Sequence, residues 1–200
     1  MKTLIEKSST AGGSSPDRLT GPTVRLWPYA PGVYGRDCLY RIWRLIEDEG
    51  CAARCFWDQA ITPATAGDLA NFIKAFEGVS NRLLLMVEAL NGTRLVGCCW
   101  FTEIQVGHQA FGSIFMVKTA RGPMAEEAAR LAIDYIFSIA DLRQLWGLTP
   151  WPEAAAFVQR LGFVRCGTLP DFAKVGDELH SVRILRLTKE AWHGLGVQKR

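Results

Sequence analysis

The segment VKTARGPMAEEAARLAIDYIF, residues 117–137, carries the residue types and spacing that point most directly to chemistry. An apolar run ends at Val117, Arg121-Gly122-Pro123 follows, and a helix-forming stretch begins. The first turn of a helix leaves N–H groups unpaired and carries partial positive charge, so it can hold a phosphate. Arg121 adds a full charge. Pro123 has no N–H and removes one donor, yet proline is also at home in a first helical turn. Glu126 and Glu127 favour the helix and oppose an anion. The segment therefore reads either as an anion cradle or as an ordinary capped core helix.

Cysteines are the other reactive set. They stand at positions 38, 51, 55, 98, 99 and 166. Cys98 and Cys99 are adjacent in an apolar strand, so their side chains point to opposite faces. Cys51 and Cys55 lack the second ligand pair that a zinc site needs. The expectation is free thiols in a reducing cytoplasm, with no metal.

The chain around these residues has 200 residues, 48% of them apolar, which is enough for one domain with a full core. No run approaches the ~20 apolar residues that span a bilayer, so a soluble protein with no membrane partner is expected. Net charge is +3 without a clustered basic stripe, which argues against nucleic acid as a partner. Residues 1–22 are rich in Ser, Gly and Pro and read as an arm. Residues 23–192 form the domain, and 193–200 a tail.

Periodicity supplies the elements. Val24–Tyr29 suits a strand. Leu39, Ile42, Trp43 and Ile46 follow i, i+3, i+4, i+7 and predict an amphipathic helix from Asp37. A second helix is expected over about 64–76. Asn91-Gly92-Thr93 separates two apolar runs, a strong hairpin signal, and a turn at Gly107-His108 leads into a third run. Residues 82–118 thus read as three antiparallel strands. The segment at 117–137 opens the next helix. A strand to Pro150, a helix over PEAAAFVQRLG and two strands around a polar loop at 171–179 complete the chain. The order makes an α+β domain with a central mixed, mostly antiparallel sheet flanked by about four helices.

This order resembles the GNAT acyltransferases, which transfer an acetyl group from acetyl-CoA to an amine. RLVGCCWF is similar to that family's "xxGxxxF" strand, ARGPMAEEAARLAIDYIF to its cofactor helix, and LTPWPEAAAFVQRLGFVRCGTLP to its NxxAxxxYxxxGF segment. The variant pattern most resembles short members encoded by bacteriophages and mobile elements. The resemblance implies acetyl-CoA as co-substrate. It implies a cofactor site at Met116, Val117, Thr119, Arg121, Gly122, Met124, Ala125 and Trp151. Trp151 stands where the family has asparagine. Val158 stands where it has a tyrosine that reprotonates the leaving thiolate, and valine cannot transfer a proton. The acceptor implied is an amine-bearing small molecule or protein, in the cytoplasm. The alternative is an inactive GNAT-fold scaffold, such as a component of a phage particle or other protein assembly.

Acetyl transfer needs a neutral amine, hence a base. Glu103 is the first candidate, because it lies in an otherwise apolar run whose burial would raise its pKa. On an alternating strand the same residue faces solvent. His108 is the second candidate, at a turn. An amide near Val117 is expected to stabilise the thioester oxyanion.

Overall fold

The computed structural model describes residues 19–30, 36–57, 74, 76, 80–92 and 94–197. Seven strands form one sheet: β1 (Val24–Pro28), β2 (Leu83–Ala89), β3 (Arg94–Gln105), β4 (Gln109–Met116), β5 (Gln144–Thr149), β6 (Val164–Val175) and β7 (Glu178–Thr188). Their spatial order is β1-β2-β3-β4-β5-β7-β6. Every neighbouring pair is antiparallel except β4 and β5, which are parallel. The described helices are α1 (Asp37–Asp48), α2 (Ala52–Cys55), α3 (Pro123–Ala140), α4 (Pro152–Arg160) and α5 (Lys189–Val197). A single 3-10 turn, Lys118–Ala120, joins β4 to α3.

Two apolar layers clasp the sheet. One contains the α3 residues Ala125, Ala128, Ala129, Ala132 and Ile136 with Cys99, Phe101, Leu145 and Leu185 from the strands. The other contains Leu39, Ile42, Trp43 and Ile46 of α1 with Cys98, Trp100 and Phe115. Adjacent cysteines thus do fall on opposite faces, as strand alternation requires. All six cysteines are free. The "xxGxxxF" glycine has a steric cause: a Cβ on Gly97 would lie 2.3 Å from the Phe115 carbonyl oxygen across the β3–β4 ladder.

The structure departs from the sequence reading in several places. The expected helix at 64–76 lies outside the described residues, apart from Lys74 and Phe76. The short helix α2 was not foreseen. The polar loop at 171–179 is mostly strand, because β6 and β7 continue as a hairpin to Val175 and Glu178. The domain boundary expected after residue 192 falls inside α5. Trp192 explains this: it is buried in the core, and its indole N–H donates to Asp134 Oδ1 at 2.5 Å. At the other end, Leu19 packs against the core, and Thr20 bridges to Arg25. Residues 1–18 of the expected arm lie outside the description.

Candidate active site

The parallel ladder between β4 and β5 is short. Gln109↔Gln144, Ala110↔Leu145 and Phe111↔Trp146 pair, and pairing ends there. Gln109 Oε1 accepts the Trp146 indole N–H (3.0 Å) and the Gln144 amide (3.3 Å), which fastens the closed end. Beyond it the strands part, and a cleft of about 440 Å³ opens between them. Ser113, Ile114, Met116, Gly147 and Thr149 line it from the strands. Ala125, Ala129 and Ala132 of α3, with Phe157 and Val158 of α4, close one side. Cys51, Arg54, Cys55, Trp57 and Trp100 close the other. The cleft therefore passes through the sheet, from the α3 layer to the α1–α2 layer.

Strand alternation shows which backbone groups face this gap. The Val117 N–H donates to the Val96 carbonyl at 2.9 Å. In an antiparallel pair every second residue bonds the partner, so Ser113 and Phe115 also point to β3. Gly112, Ile114 and Met116 point the other way, beyond the last β4–β5 pair. The amide expected at Val117 for an oxyanion is thus already committed, and those of Ile114 and Met116 are the ones on the open edge. The hairpin register would have revealed this parity from the sequence.

At the mouth, Gly122 is the N-cap of α3, with φ 80° and ψ −132°, and no side chain caps the helix. Its carbonyl accepts the Glu126 N–H at 3.0 Å. Pro123 occupies the first helical turn. Among the described residues the N–H groups of Gly122, Met124 and Ala125 have no protein acceptor, the condition for an anion cradle. The Arg121 N–H is weakly held, bonding the Lys118 carbonyl at 3.4 Å. The two glutamates of the first turn are directed elsewhere. Glu126 bonds the Arg130 guanidinium at 2.8 Å. Glu127 accepts from Thr23 and from the Val24 N–H.

Of the cofactor residues implied by the sequence, Met116, Arg121, Gly122, Ala125 and Trp151 line the cleft, whereas Val117, Thr119 and Met124 do not. The Met124 side chain packs on the core, and Thr119 is exposed on the 3-10 turn. The Trp151 indole N–H donates to the Arg54 carbonyl (3.2 Å), and the Arg54 guanidinium lies over its ring at 4.6 Å. Arg54 also pairs with Glu153. Trp151 thus builds a wall between α2 and α4.

The structure does not bring the expected bases to the cleft. Glu103 is exposed with φ 50°, in a bulge where the β3–β4 register shifts between Thr102 and Gln105. An extra residue in one strand re-aims its side chain, which the alternation rule could not foresee. His108 is exposed in the β3–β4 turn. That turn lies at the opposite end of β4 from the mouth, about 25 Å away at strand rise. Cys99 lines the cleft, but burial pushes its thiol up to about 12, so it is no nucleophile near neutrality. Burial, and then the neighbouring Cys51, likewise push Cys55 up to about 12. Among the described residues no cluster of ligands suits a metal.

No protein-family model matches the chain, and no curated protein matches its sequence. Solved structures do resemble it. Spermidine N-acetyltransferase from Vibrio cholerae, in complex with CoA and spermine, superposes with a TM-score of 0.71 at 17% identity, covering 86% of this chain and 99% of that one. Mutant forms of the spermidine/spermine N-acetyltransferase from the same organism give 0.70 at 18%, covering 88% and 99%. A dodecameric form in an intermediate state gives 0.68 at 19%, covering 86% and 97%. At these identities the likeness speaks for the fold. This chain has the GNAT acyl-CoA N-acyltransferase fold, with its cleft between the two parallel strands.

Proposed function

We propose that the protein is a CoA-dependent N-acyltransferase that acetylates an amine by direct attack. The observation that carries this reading is the pairing of an open through-sheet cleft with uncommitted amides at Gly122, Met124 and Ala125. These groups, with the Arg121 guanidinium, hold the diphosphate of the cofactor. The open-edge backbone groups of Ile114 and Met116 pair with its amide-bearing arm as a neighbouring strand would. Bound acetyl-CoA supplies a thioester carbonyl, which the acceptor's neutral nitrogen attacks; the carbon–sulfur bond then breaks, CoA leaves as the thiolate, and the proton lost from nitrogen reaches it through water. An N–H on the open edge of β4 stabilises the oxygen of that carbonyl as charge develops. The acceptor enters from the wall formed by Arg54, Trp57 and Trp151. It is an amine-bearing small molecule or protein; the structural relatives' polyamines belong to that class.

An inactive scaffold, phage-borne or otherwise, is the competing reading. Val158 and the exposed Glu103 favour it. The uncommitted amides beside an open cleft suit the enzyme reading, although every helix start leaves such donors and water can satisfy them in a scaffold. Calorimetric titration with CoA and acetyl-CoA separates the two. The enzyme reading expects binding in the micromolar range. No heat and no thermal stabilisation at millimolar cofactor would end it.

A further inference from the structure

Glu49 stands at the turn between α1 and α2, whose next residues, Cys51, Arg54 and Cys55, line the cleft. Its side chain is only 17% exposed. One carboxylate oxygen, Oε1, accepts the Lys118 N–H at 3.1 Å. The other, Oε2, is buried and receives no hydrogen bond. Among the described residues it pairs with the Arg121 guanidinium, at 3.6 Å. That distance is too long for a hydrogen bond and short enough for attraction.

Arg121 is held at two other points. Its Nε donates to the Met116 carbonyl at 3.2 Å, and its Nη2 lies 3.8 Å from Cys51 Sγ. The guanidinium therefore lies folded back over the end of β4. It occupies a carbonyl on the open edge and faces a buried carboxylate. Yet the backbone of Arg121 adjoins the uncommitted amides of the α3 start. A diphosphate there offers a stronger, doubly bonded partner than the carboxylate at 3.6 Å.

We infer that Glu49 is a positioning residue that competes with the cofactor for Arg121. Without cofactor it keeps the guanidinium parked on β4. When a diphosphate binds, Arg121 leaves Glu49 and the Met116 carbonyl, and that carbonyl becomes available to the cofactor's arm. Cofactor affinity is then set partly by the cost of breaking this contact. Because Glu49 belongs to the turn that carries the acceptor wall, the exchange also reports cofactor occupancy to that wall. This inference rests on the acyltransferase reading.

The test is a double-mutant cycle read by calorimetry, with CoA as the probe. Glu49→Gln keeps an oxygen for the Lys118 N–H but loses the charge. It is expected to tighten CoA binding about fivefold, the scale of one partly exposed ion pair. Glu49→Asp keeps the charge but moves it away from Arg121; it is expected to give a smaller gain in the same direction and guards against a folding defect in one variant. Arg121→Met weakens CoA, and in that background Glu49→Gln adds nothing. Pantetheine, which lacks a diphosphate and meets Arg121 only at the Met116 carbonyl, should gain less than CoA from Glu49→Gln. A purely structural Glu49 would show no such dependence on Arg121. Unchanged or weaker CoA binding by both Glu49 variants overturns the inference, as does a gain that persists without Arg121. If none of the proteins binds CoA, the acyltransferase reading itself has failed. If CoA binds but is indifferent to Glu49, only the competition has failed.

Discussion

Glu127 reaches across 104 positions of sequence to hold Thr23: Oε1 accepts the Thr23 N–H at 2.9 Å, and Oε2 accepts its hydroxyl at 2.5 Å. The Val24 N–H adds a third bond to Oε1, at 3.1 Å. One carboxylate thus ties the start of β1 to the first turn of α3. It also draws a negative charge away from the helix mouth, which would otherwise repel a phosphate.

Replacing this residue tests the tie. Glu127→Ala leaves the Thr23 and Val24 donors to water and is expected to destabilise the fold by about 1–3 kcal/mol. Urea unfolding reads the loss. CoA affinity should move little, because the carboxylate does not face the cradle.

Gly122 has φ 80° and ψ −132°, a conformation closed to residues with a Cβ, although open space surrounds the position. Gly122→Ala is therefore expected to cost about 1–3 kcal/mol through backbone strain alone. If the chain relieves that strain by rotating the Arg121–Gly122 backbone, the amide cradle is misaligned. CoA affinity should then fall by about tenfold or more. Calorimetry beside chemical denaturation separates the two effects.

Val158 lines the cleft where the resemblance implies a tyrosine. Restoring a phenol there supplies a proton donor for the departing thiolate. Val158→Tyr is expected to raise turnover by about 10²-fold, the lower range for a positioned acid. Release of free CoA thiol measures it. No gain would mean that protonation by water is already sufficient.

The buried thiols predict an alkaline weakness. Cys55 and Cys99 are each pushed up to about 12 from 9.0, chiefly by burial. Between those values the unfolded chain releases their protons and the folded chain keeps them. Stability should therefore be fully present below pH 9 and fall as pH rises toward 12. Urea midpoints across that range give the slope; burial also pushes the Cys98 thiol up, so Cys99→Ala should lessen the slope without removing it. At pH 8, exposed Cys166 should alkylate readily, whereas Cys98 and Cys99 should react only on unfolding.

Trp192 tests whether α5 belongs to the domain. Truncating this buried residue removes a large ring from the core and its bond to Asp134. Trp192→Ala should cost about 3–5 kcal/mol, measured by denaturant unfolding.

The amino-acid sequence by itself determined the order of the seven strands with α1, α3 and α4 among them, the α1 stripe of Leu39, Ile42, Trp43 and Ile46, and the opposed faces of Cys98 and Cys99. It also marked Arg121-Gly122 as the start of a helix. Each of these follows from local period or spacing, which contacts elsewhere did not override. Only the tertiary structure decided where β4 and β5 part, and so where the cleft lies. It alone turned Glu127 onto Thr23, lifted Glu103 out on a bulge, and set Glu49 beside Arg121. The reason is physical: ladder ends, bulges and pairs distant in sequence depend on what packs across the sheet, and no window of neighbouring residues contains that.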